Sequence, residues 1–162
     1  MDVAHRLSAR VGKVLKERGL LLVTAESCTG GWVSQVITSV AGSSAWFDRG
    51  FVSYSNRAKQ EMLGVRPETL QKYGAISEQV VREMAEGALA HSQAQVSVAI
   101  SGVAGPEGGT PSKPIGTVWL AWTMDGRESR ARPTHFAGDR EMVRQQAVMA
   151  ALQGIIETVE QA

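Results

Sequence analysis

One stretch constrains the fold of this chain more than any other: an apolar run that leads into a polar turn and then into a helical pattern. Residues 20–23 are Leu-Leu-Leu-Val, and residues 24–31 are Thr-Ala-Glu-Ser-Cys-Thr-Gly-Gly. Beyond them, apolar residues recur at helical spacing as far as Val40. The pattern predicts a buried strand over 20–25, a tight turn, and a helix over 30–40.

The turn carries groups that are typical of a catalytic site. The first free backbone N–H groups of a helix point at whatever lies above the end of the preceding strand. Gly30 and Gly31 have no Cβ, so a ligand can approach the backbone closely there. Ser27 then stands where backbone donors can serve a nucleophile. The alternative is that Ser27 or Thr29 only caps the helix, and spacing alone does not separate these two hypotheses.

Length, charge and cysteine count exclude several classes of protein. A chain of 162 residues predicts a single domain over 1–162, with 43% hydrophobic and 20% charged residues. The net charge of +1 gives no reason to expect a nucleic-acid partner. One cysteine and three scattered histidines favour neither a disulfide framework nor a zinc site. No run approaches the roughly 18 apolar residues of a membrane span, so we expect no membrane partner and a cytoplasmic location.

Helical and strand patterns alternate along most of the chain. Helices are predicted over 2–18, 57–63, 67–73 and 78–91, and strands over 45–55 and 95–101. Pro67 suits the first position of its helix, and Ser77 is predicted to cap the helix over 78–91. A strand over 116–124, the hairpin signal Asp125-Gly126, a polar strand over 127–136 and a last helix capped by Asp139 follow. Pro133 places the polar strand at a sheet edge. The order predicts an α/β fold: a three-layer α/β/α domain with a mixed, largely parallel sheet and an antiparallel edge hairpin.

Lys59 stands in an unfavourable place for a lysine. Asn56 is predicted to cap the helix over 57–63, which puts Lys59 in the first turn, where the helix dipole disfavours a cation. The conflict indicates a functional role for Lys59, and the alternative is a solvated surface lysine. For Asn56 the favoured prediction is a helix cap, and the alternative is a contact with a ligand.

A long loop follows the buried strand over 95–101. Residues 102–114 hold four glycines and three prolines, which favours irregular structure, and long loops in compact domains are usually functional or disordered. Residues with unusual chemistry therefore occur in four segments at strand ends or helix starts: 24–31, 53–59, 101–109 and 138–140. Sites of open α/β sheets form beyond the carboxyl ends of the strands, so these segments are expected to converge.

Seven motifs along the chain together indicate a family. They are residues 24–31, Gly-Ser-Ser-Ala-Trp-Phe (42–47), Tyr-Ser-Asn-Arg-Ala-Lys (54–59), Gly-Ala-Ile-Ser (74–77), Ser-Gly-Val-Ala-Gly-Pro-Glu-Gly-Gly (101–109), Lys-Pro-Ile-Gly-Thr-Val (113–118) and Phe-Ala-Gly-Asp-Arg (136–140). The chain resembles the CinA C-terminal domain family over nearly its full length, and most closely the stand-alone members, the nicotinamide-nucleotide amidases. Ser101 is one variation, since some relatives carry threonine there.

The resemblance implies an activity and roles for particular residues. It implies hydrolysis of the carboxamide of nicotinamide mononucleotide (NMN) to nicotinate mononucleotide and ammonia, a step of NAD salvage. It implies Ser27 as nucleophile, Lys59 as base and Tyr54 beside them, with no metal and no cofactor, in a homodimer. The alternative, a non-catalytic nucleotide-binding or regulatory module, is disfavoured because Ser27, Tyr54 and Lys59 are all present.

Elementary chemistry agrees with these roles. A serine hydroxyl needs a neighbour that takes its proton, and a neutral lysine serves when burial or positive charge lowers its pKa. Backbone donors for the oxyanion, and further substrate contacts, are expected from two of the segments. These candidates are Thr29, Gly30, Gly31, Ser101, Gly102, Ala104 and Gly105. Arg140, at the start of a helix, suits the substrate phosphate, and the alternative is a surface arginine.

Two neighbours of Ser27 carry alternatives of their own. Cys28 is a second candidate nucleophile, because a thiol is intrinsically better than a hydroxyl, but single cysteines are usually buried fillers. Glu26 either orients Lys59 or accepts structural hydrogen bonds. The four tryptophans are expected in the core, and the alternative for one of them is to stack on the base of the substrate.

Overall fold

A mixed sheet of five strands forms the centre of the computed structural model, which describes residues 2–161. The strands are β1 (Leu22–Glu26), β2 (Phe47–Val52), β3 (Val96–Gly102), β4 (Thr117–Met124) and β5 (Arg130–His135). Their order across the sheet is β2-β1-β3-β4-β5. β1 pairs in parallel with β2 and β3, whereas the β3–β4 and β4–β5 pairs are antiparallel. The predicted α/β fold with a mixed sheet and an antiparallel edge is confirmed.

Helices cover both faces of this sheet. They are α1 (Val3–Glu17), α2 (Trp32–Thr38), α3 (Asn56–Leu63), α4 (Pro67–Tyr73), α5 (Glu78–Ala90) and α6 (Arg140–Glu160). Side chains alternate across a strand, so Val98 belongs to the core under α1, α2 and α6, and Ala99 to the core under α5. Within residues 2–161, no helix is long and apolar enough to cross a membrane.

Most element ends follow from local signals. Ser77 and Asp139 cap α5 and α6 as predicted, with each side-chain oxygen accepting a backbone N–H. Asn56 is not a cap: Ser55 Oγ accepts the Ala58 N–H at 3.0 Å, so α3 begins one residue earlier than predicted. Either residue type is a good cap, and sequence alone does not choose between neighbours.

Two strand predictions were too long. The strand predicted over 45–55 is β2, Phe47–Val52, because Ser43–Ala45 forms a 3₁₀ turn before it. The return strand predicted over 127–136 begins only at Arg130. Both strands lie at sheet edges, where pairing on one side leaves their length weakly specified. The single-domain prediction included positions 1 and 162, which lie outside the described residues.

Small residues let α6 approach the sheet closely. Trp122 on β4 is buried and donates its indole N–H to the Ala151 carbonyl of α6 at 3.0 Å. Gly154 lies over the same ring, and a Cβ added there would lie 2.1 Å from Trp122 Cε2. The indole edge that carries Nε1 therefore contacts the backbone of α6 and fixes the spacing between this helix and the sheet.

Gly154→Ala is expected to destabilise the protein. Alanine favours a helix over glycine by about 1 kcal/mol, but the added methyl overpacks the Trp122 contact, which typically costs about 1–3 kcal/mol. Urea unfolding measures the net change. Gln145→Ala, at an exposed position of the same helix, is the control and should lie within about 0.5 kcal/mol of the parent. A Gly154→Ala protein more stable than its parent would contradict the close contact.

Candidate active site

The carboxylate of Glu26, at the end of β1, organises the turn before α2. Glu26 is fully buried and accepts five hydrogen bonds. The donors are Thr29 Oγ1 (2.6 Å), the backbone N–H groups of Gly31 (3.2 Å), Val33 (2.9 Å) and Ser34 (3.0 Å), and Ser34 Oγ (2.8 Å). A carboxylate at a helix N-terminus satisfies its free N–H groups and complements the dipole. Glu26 is therefore structural, the second of the two sequence hypotheses.

Ser27 lies on top of this turn rather than capping the helix. Gly31 is the N-cap of α2 and makes no side-chain capping bond. The Ser27 N–H donates to the Ile100 carbonyl of β3 at 3.0 Å, which fixes the residue to the sheet. Its Oγ lies 3.3 Å from the Tyr54 carbonyl oxygen. The hypothesis that Ser27 only caps the helix is wrong, because the buried Glu26 carboxylate accepts the N–H groups at the start of α2.

Lys59 is buried against Ser27. Lys59 is 1% exposed. Its Nζ donates to Ser27 Oγ at 3.1 Å and to the Tyr54 carbonyl at 3.0 Å. The surface-lysine alternative is therefore wrong. Burial lowers the pKa of Lys59 by removing water from the ammonium, with a smaller opposing effect from Cys28. Desolvation, rather than the helix dipole considered in the sequence analysis, is the main cause.

Tyr54 enters this group through its backbone. Its carbonyl oxygen accepts from Lys59 Nζ and lies within hydrogen-bond distance of Ser27 Oγ. The residue itself is 61% exposed and lines the mouth of the adjacent cavity. A carbonyl between a lysine and a serine holds the two side chains in one geometry.

The four sequence segments meet at one cavity of about 260 Å³. It is lined by Ser27, Cys28, Tyr54, Asn56, Lys59, Ala75, Ile76, Ser101, Gly102, Ala104 and Arg140. Ala75 and Ile76 were not predicted as site residues, although they lie within the 74–77 motif. The lining places the Ser27 hydroxyl and the Lys59 amine at the wall of a space that accepts a small ligand.

Part of the expected donor set is used within the protein. Thr29, Gly30 and Gly31 lie outside the cavity lining, and the Gly30 N–H donates to the Ser27 carbonyl at 3.0 Å. Ser101 lines the cavity, but its hydroxyl donates to the Ala75 carbonyl at 2.9 Å and so holds the 74–77 segment in place.

Two backbone donors near Ser27 are candidates for binding a negatively charged oxygen. Within residues 2–161 the Ala104 N–H has no protein acceptor, and the Cys28 N–H faces only the thiol of its own residue. Both residues line the cavity.

Arg140 connects this cavity with a second one. Its guanidinium donates to the Gly105 carbonyl at 2.9 Å. A neighbouring cavity of about 510 Å³ shares Ala104 and Arg140 with the first and extends along Gly105 and the start of α6. The Met142 N–H at that helix start is already bound by Asp139 at 2.9 Å. Arg140 is the one cationic side chain among the residues that line this second cavity in the described chain.

Cys28 has the environment of a buried filler. It is 6% exposed, and burial raises the pKa of its thiol to about 11. A thiol that stays protonated at neutral pH is a poor nucleophile. Ser27, with an amine in contact, is the better placed of the two.

Arg144 is a site neighbour that sequence reasoning missed. From α6 it donates to the carbonyls of Cys28 and Thr29, which lie 116 and 115 positions away. No local pattern signals a contact over that separation. Among residues 2–161, no group of three or more His, Cys, Asp or Glu side chains is placed to hold a metal ion.

The fold and this site define a known class of protein. The family model described as "CinA C-terminal domain" matches residues 4–159, and the chain belongs to that family. A "Nicotinamide-nucleotide amidohydrolase PncC" of Escherichia coli K12 is 58% identical over 91% of this chain and 90% of its own length. The protein of the same name from Pseudomonas putida is 50% identical, over 97% of this chain and 98% of its own length.

Solved structures agree with this assignment. The competence/damage inducible protein CihA of Agrobacterium tumefaciens superposes with a TM-score of 0.95 at 41% identity, covering 98% of this chain and 96% of that chain.

Lys59→Met is expected to raise thermal stability at neutral pH, because it replaces a desolvated amine by an apolar side chain of similar length. The pKa of Lys59 is lower in the folded than in the unfolded chain, so the unfolded state binds more protons between those values. The parent therefore gains stability as pH rises through that window, and the mutant lacks this gain. Melting temperatures from pH 7 to 10 should show the advantage of the mutant shrinking. A difference in melting temperature between mutant and parent that does not change with pH would contradict the lowered pKa of Lys59.

Proposed function

We propose that the chain hydrolyses the carboxamide of NMN, giving nicotinate mononucleotide and ammonia. The observation that carries the proposal is the contact between Ser27 Oγ and the buried Nζ of Lys59 at 3.1 Å, at the wall of a cavity. The similarity to proteins named nicotinamide-nucleotide amidohydrolase supplies the substrate. An intact Ser–Lys pair disfavours the alternative of a non-catalytic nucleotide-binding module.

In this proposal Lys59 acts as the base. Its lowered pKa increases the fraction of neutral amine, which takes the Ser27 proton as Oγ attacks the carboxamide carbon. Ser–Lys pairs are a known variant of the catalytic triad. The Tyr54 carbonyl holds Nζ beside Oγ throughout. The Lys59 ammonium then protonates the leaving nitrogen, so ammonia departs and an ester to Ser27 remains.

Water completes the reaction by the same proton path. Neutral Lys59 takes a proton from water as the water oxygen attacks the ester, and that proton returns to Ser27 Oγ as the carboxylic acid leaves. The acid then ionises and releases its own proton to solvent. In both steps a negative oxygen forms at the former carboxamide. The N–H groups of Cys28 and Ala104, which no other residue accepts within residues 2–161 and which lie at the cavity wall, are the proposed donors for it.

The remaining parts of NMN are assigned to the other walls. The exposed ring of Tyr54 lies at the cavity mouth, where it can cover the flat nicotinamide. The phosphate is assigned to Arg140, which lies between the two connected cavities and keeps N–H groups beyond the one given to Gly105.

We further propose a homodimer in the cytoplasm, on the family resemblance, with the product returning to NAD synthesis. Light scattering of the purified chain tests the dimer. The net charge of +1 leaves nucleic acid without an electrostatic basis for binding.

Ser27→Ala is expected to lower NMN turnover by about three orders of magnitude or more while substrate binding persists. Cys28→Ala should keep most of the turnover, because the thiol is protonated and the hydroxyl is the nucleophile. Ammonia release and chromatography of the nucleotide measure activity, and calorimetry with the Ser27→Ala protein measures binding. The serine assignment is wrong if the two substitutions have the opposite effects.

Arg140→Ala is expected to weaken the use of NMN more than that of nicotinamide riboside, which lacks the phosphate. A charged hydrogen bond contributes about 1.5–3 kcal/mol, so kcat/KM for NMN should fall by about one to two orders of magnitude. The value for the riboside, low in the parent, should hardly change. Equal losses for both substrates would show that Arg140 only supports Gly105, and the phosphate would then have to bind elsewhere.

A further inference from the structure

Arg144 on α6 contacts the turn that carries Ser27. Its Nε donates to the Cys28 carbonyl at 3.0 Å, and Nη2 donates to the Thr29 carbonyl at 3.3 Å. The guanidinium also lies over the Trp32 ring, 5.3 Å from its centroid. Arg144 does not line the cavity, so these contacts reach backbone rather than ligand.

Those two carbonyls fix peptide planes next to the nucleophile. In a trans peptide the C=O and the following N–H point in opposite directions, so holding the Cys28 carbonyl towards α6 turns the Thr29 N–H away from it. The preceding plane is fixed by the Gly30 N–H, which donates to the Ser27 carbonyl. Cys28 therefore lies between two peptide planes that are each held by a hydrogen bond. The Cys28 N–H, a proposed oxyanion donor, belongs to the first of these planes.

The same helix holds the second wall of the site. Arg140 lies one turn before Arg144 and donates to the Gly105 carbonyl in the loop after β3. The first two turns of α6 thus clamp the turn after β1 and the loop after β3, and these segments carry the Cys28 and Ala104 donors.

We infer that Arg144 is a positioning residue for the proposed amidase reaction, holding the Ser27–Thr29 turn so that nucleophile and oxyanion donor share one geometry. This inference rests on the proposed function. Arginine suits the task because its planar fork reaches two carbonyls at once while its face stacks on a ring. A displacement of about 1 Å in a catalytic group can cost about 100-fold in rate.

The test compares Arg144→Met with Arg130→Met. Arg130 makes contacts of the same kind far from the site: it lies over the Trp122 ring at 4.9 Å and donates to the Gly154 carbonyl at 3.2 Å. The control therefore loses a similar set of contacts without touching the turn. Arg144→Met is expected to lower kcat for NMN by about 10- to 100-fold, with KM within about threefold. Arg130→Met should leave both constants near the parent values.

A second readout does not depend on catalysis. Cys28 is the single cysteine of the chain and is 6% exposed, so its rate of reaction with N-ethylmaleimide reports on the turn alone. Loss of the nearby guanidinium charge by itself would raise the thiol pKa and slow the reaction. Faster labelling in Arg144→Met, but not in Arg130→Met, would show that the turn has opened.

Each outcome decides between the hypotheses. An unchanged kcat, a loss confined to KM, or equal losses in both variants would overturn the positioning role. If the parent does not hydrolyse NMN, the proposed function fails, and the labelling rates still decide whether Arg144 holds the turn. If Arg144→Met does not fold, Arg144→Lys, which keeps the charge but loses the two-carbonyl fork, is measured in the same way and should show a smaller kcat loss with faster labelling.

Discussion

The structure of the site depends on a buried carboxylate. Glu26 ends β1 and accepts hydrogen bonds from the turn and from the first residues of α2. Removing one partner from a buried charged network leaves an unpaired group and is strongly destabilising. The carboxylate therefore fixes where α2 starts, and the position of Ser27 follows, because this residue lies between the carboxylate and the helix. Ser27 therefore needs no capping role of its own.

A second buried ionisable group, Lys59, has only uncharged partners. Water is excluded from Lys59, and its main partners are a serine hydroxyl and a backbone carbonyl rather than a carboxylate. Neither partner carries a negative charge, and burial lowers the pKa of Lys59. The two buried groups therefore differ: the Glu26 carboxylate is surrounded by hydrogen-bond donors, whereas Lys59 has lost water without gaining a negatively charged partner.

Helix α6 connects this chemistry to the rest of the fold. Its far end packs against Trp122, where Gly154 allows close approach. Its first turns reach the loops after β1 and β3 through Arg144 and Arg140. Since α6 is one continuous helix from Arg140 to Glu160, its packing on the sheet also sets the position of both arginines at the site.

The sequence by itself determined the elements whose signals are local. The strand–turn–helix unit around Ser27, the Ser77 and Asp139 caps, and Pro67 at the start of α4 were all predicted, because each depends on residues within one or two turns. Edge strands and the cap of α3 were less well predicted, because neighbouring residues there have similar propensities and little packing to choose between them.

Only the tertiary structure decided how the polar groups are used. Thr29 and Gly31 are residue types that often contact ligands, yet the Thr29 hydroxyl and the Gly31 N–H donate to Glu26. Lys59 meets Ser27 across 32 positions. Arg144 reaches the turn across 116 positions. Hydrogen-bond partners and desolvation depend on distances in space, and a sequence pattern fixes those only for residues that are close along the chain.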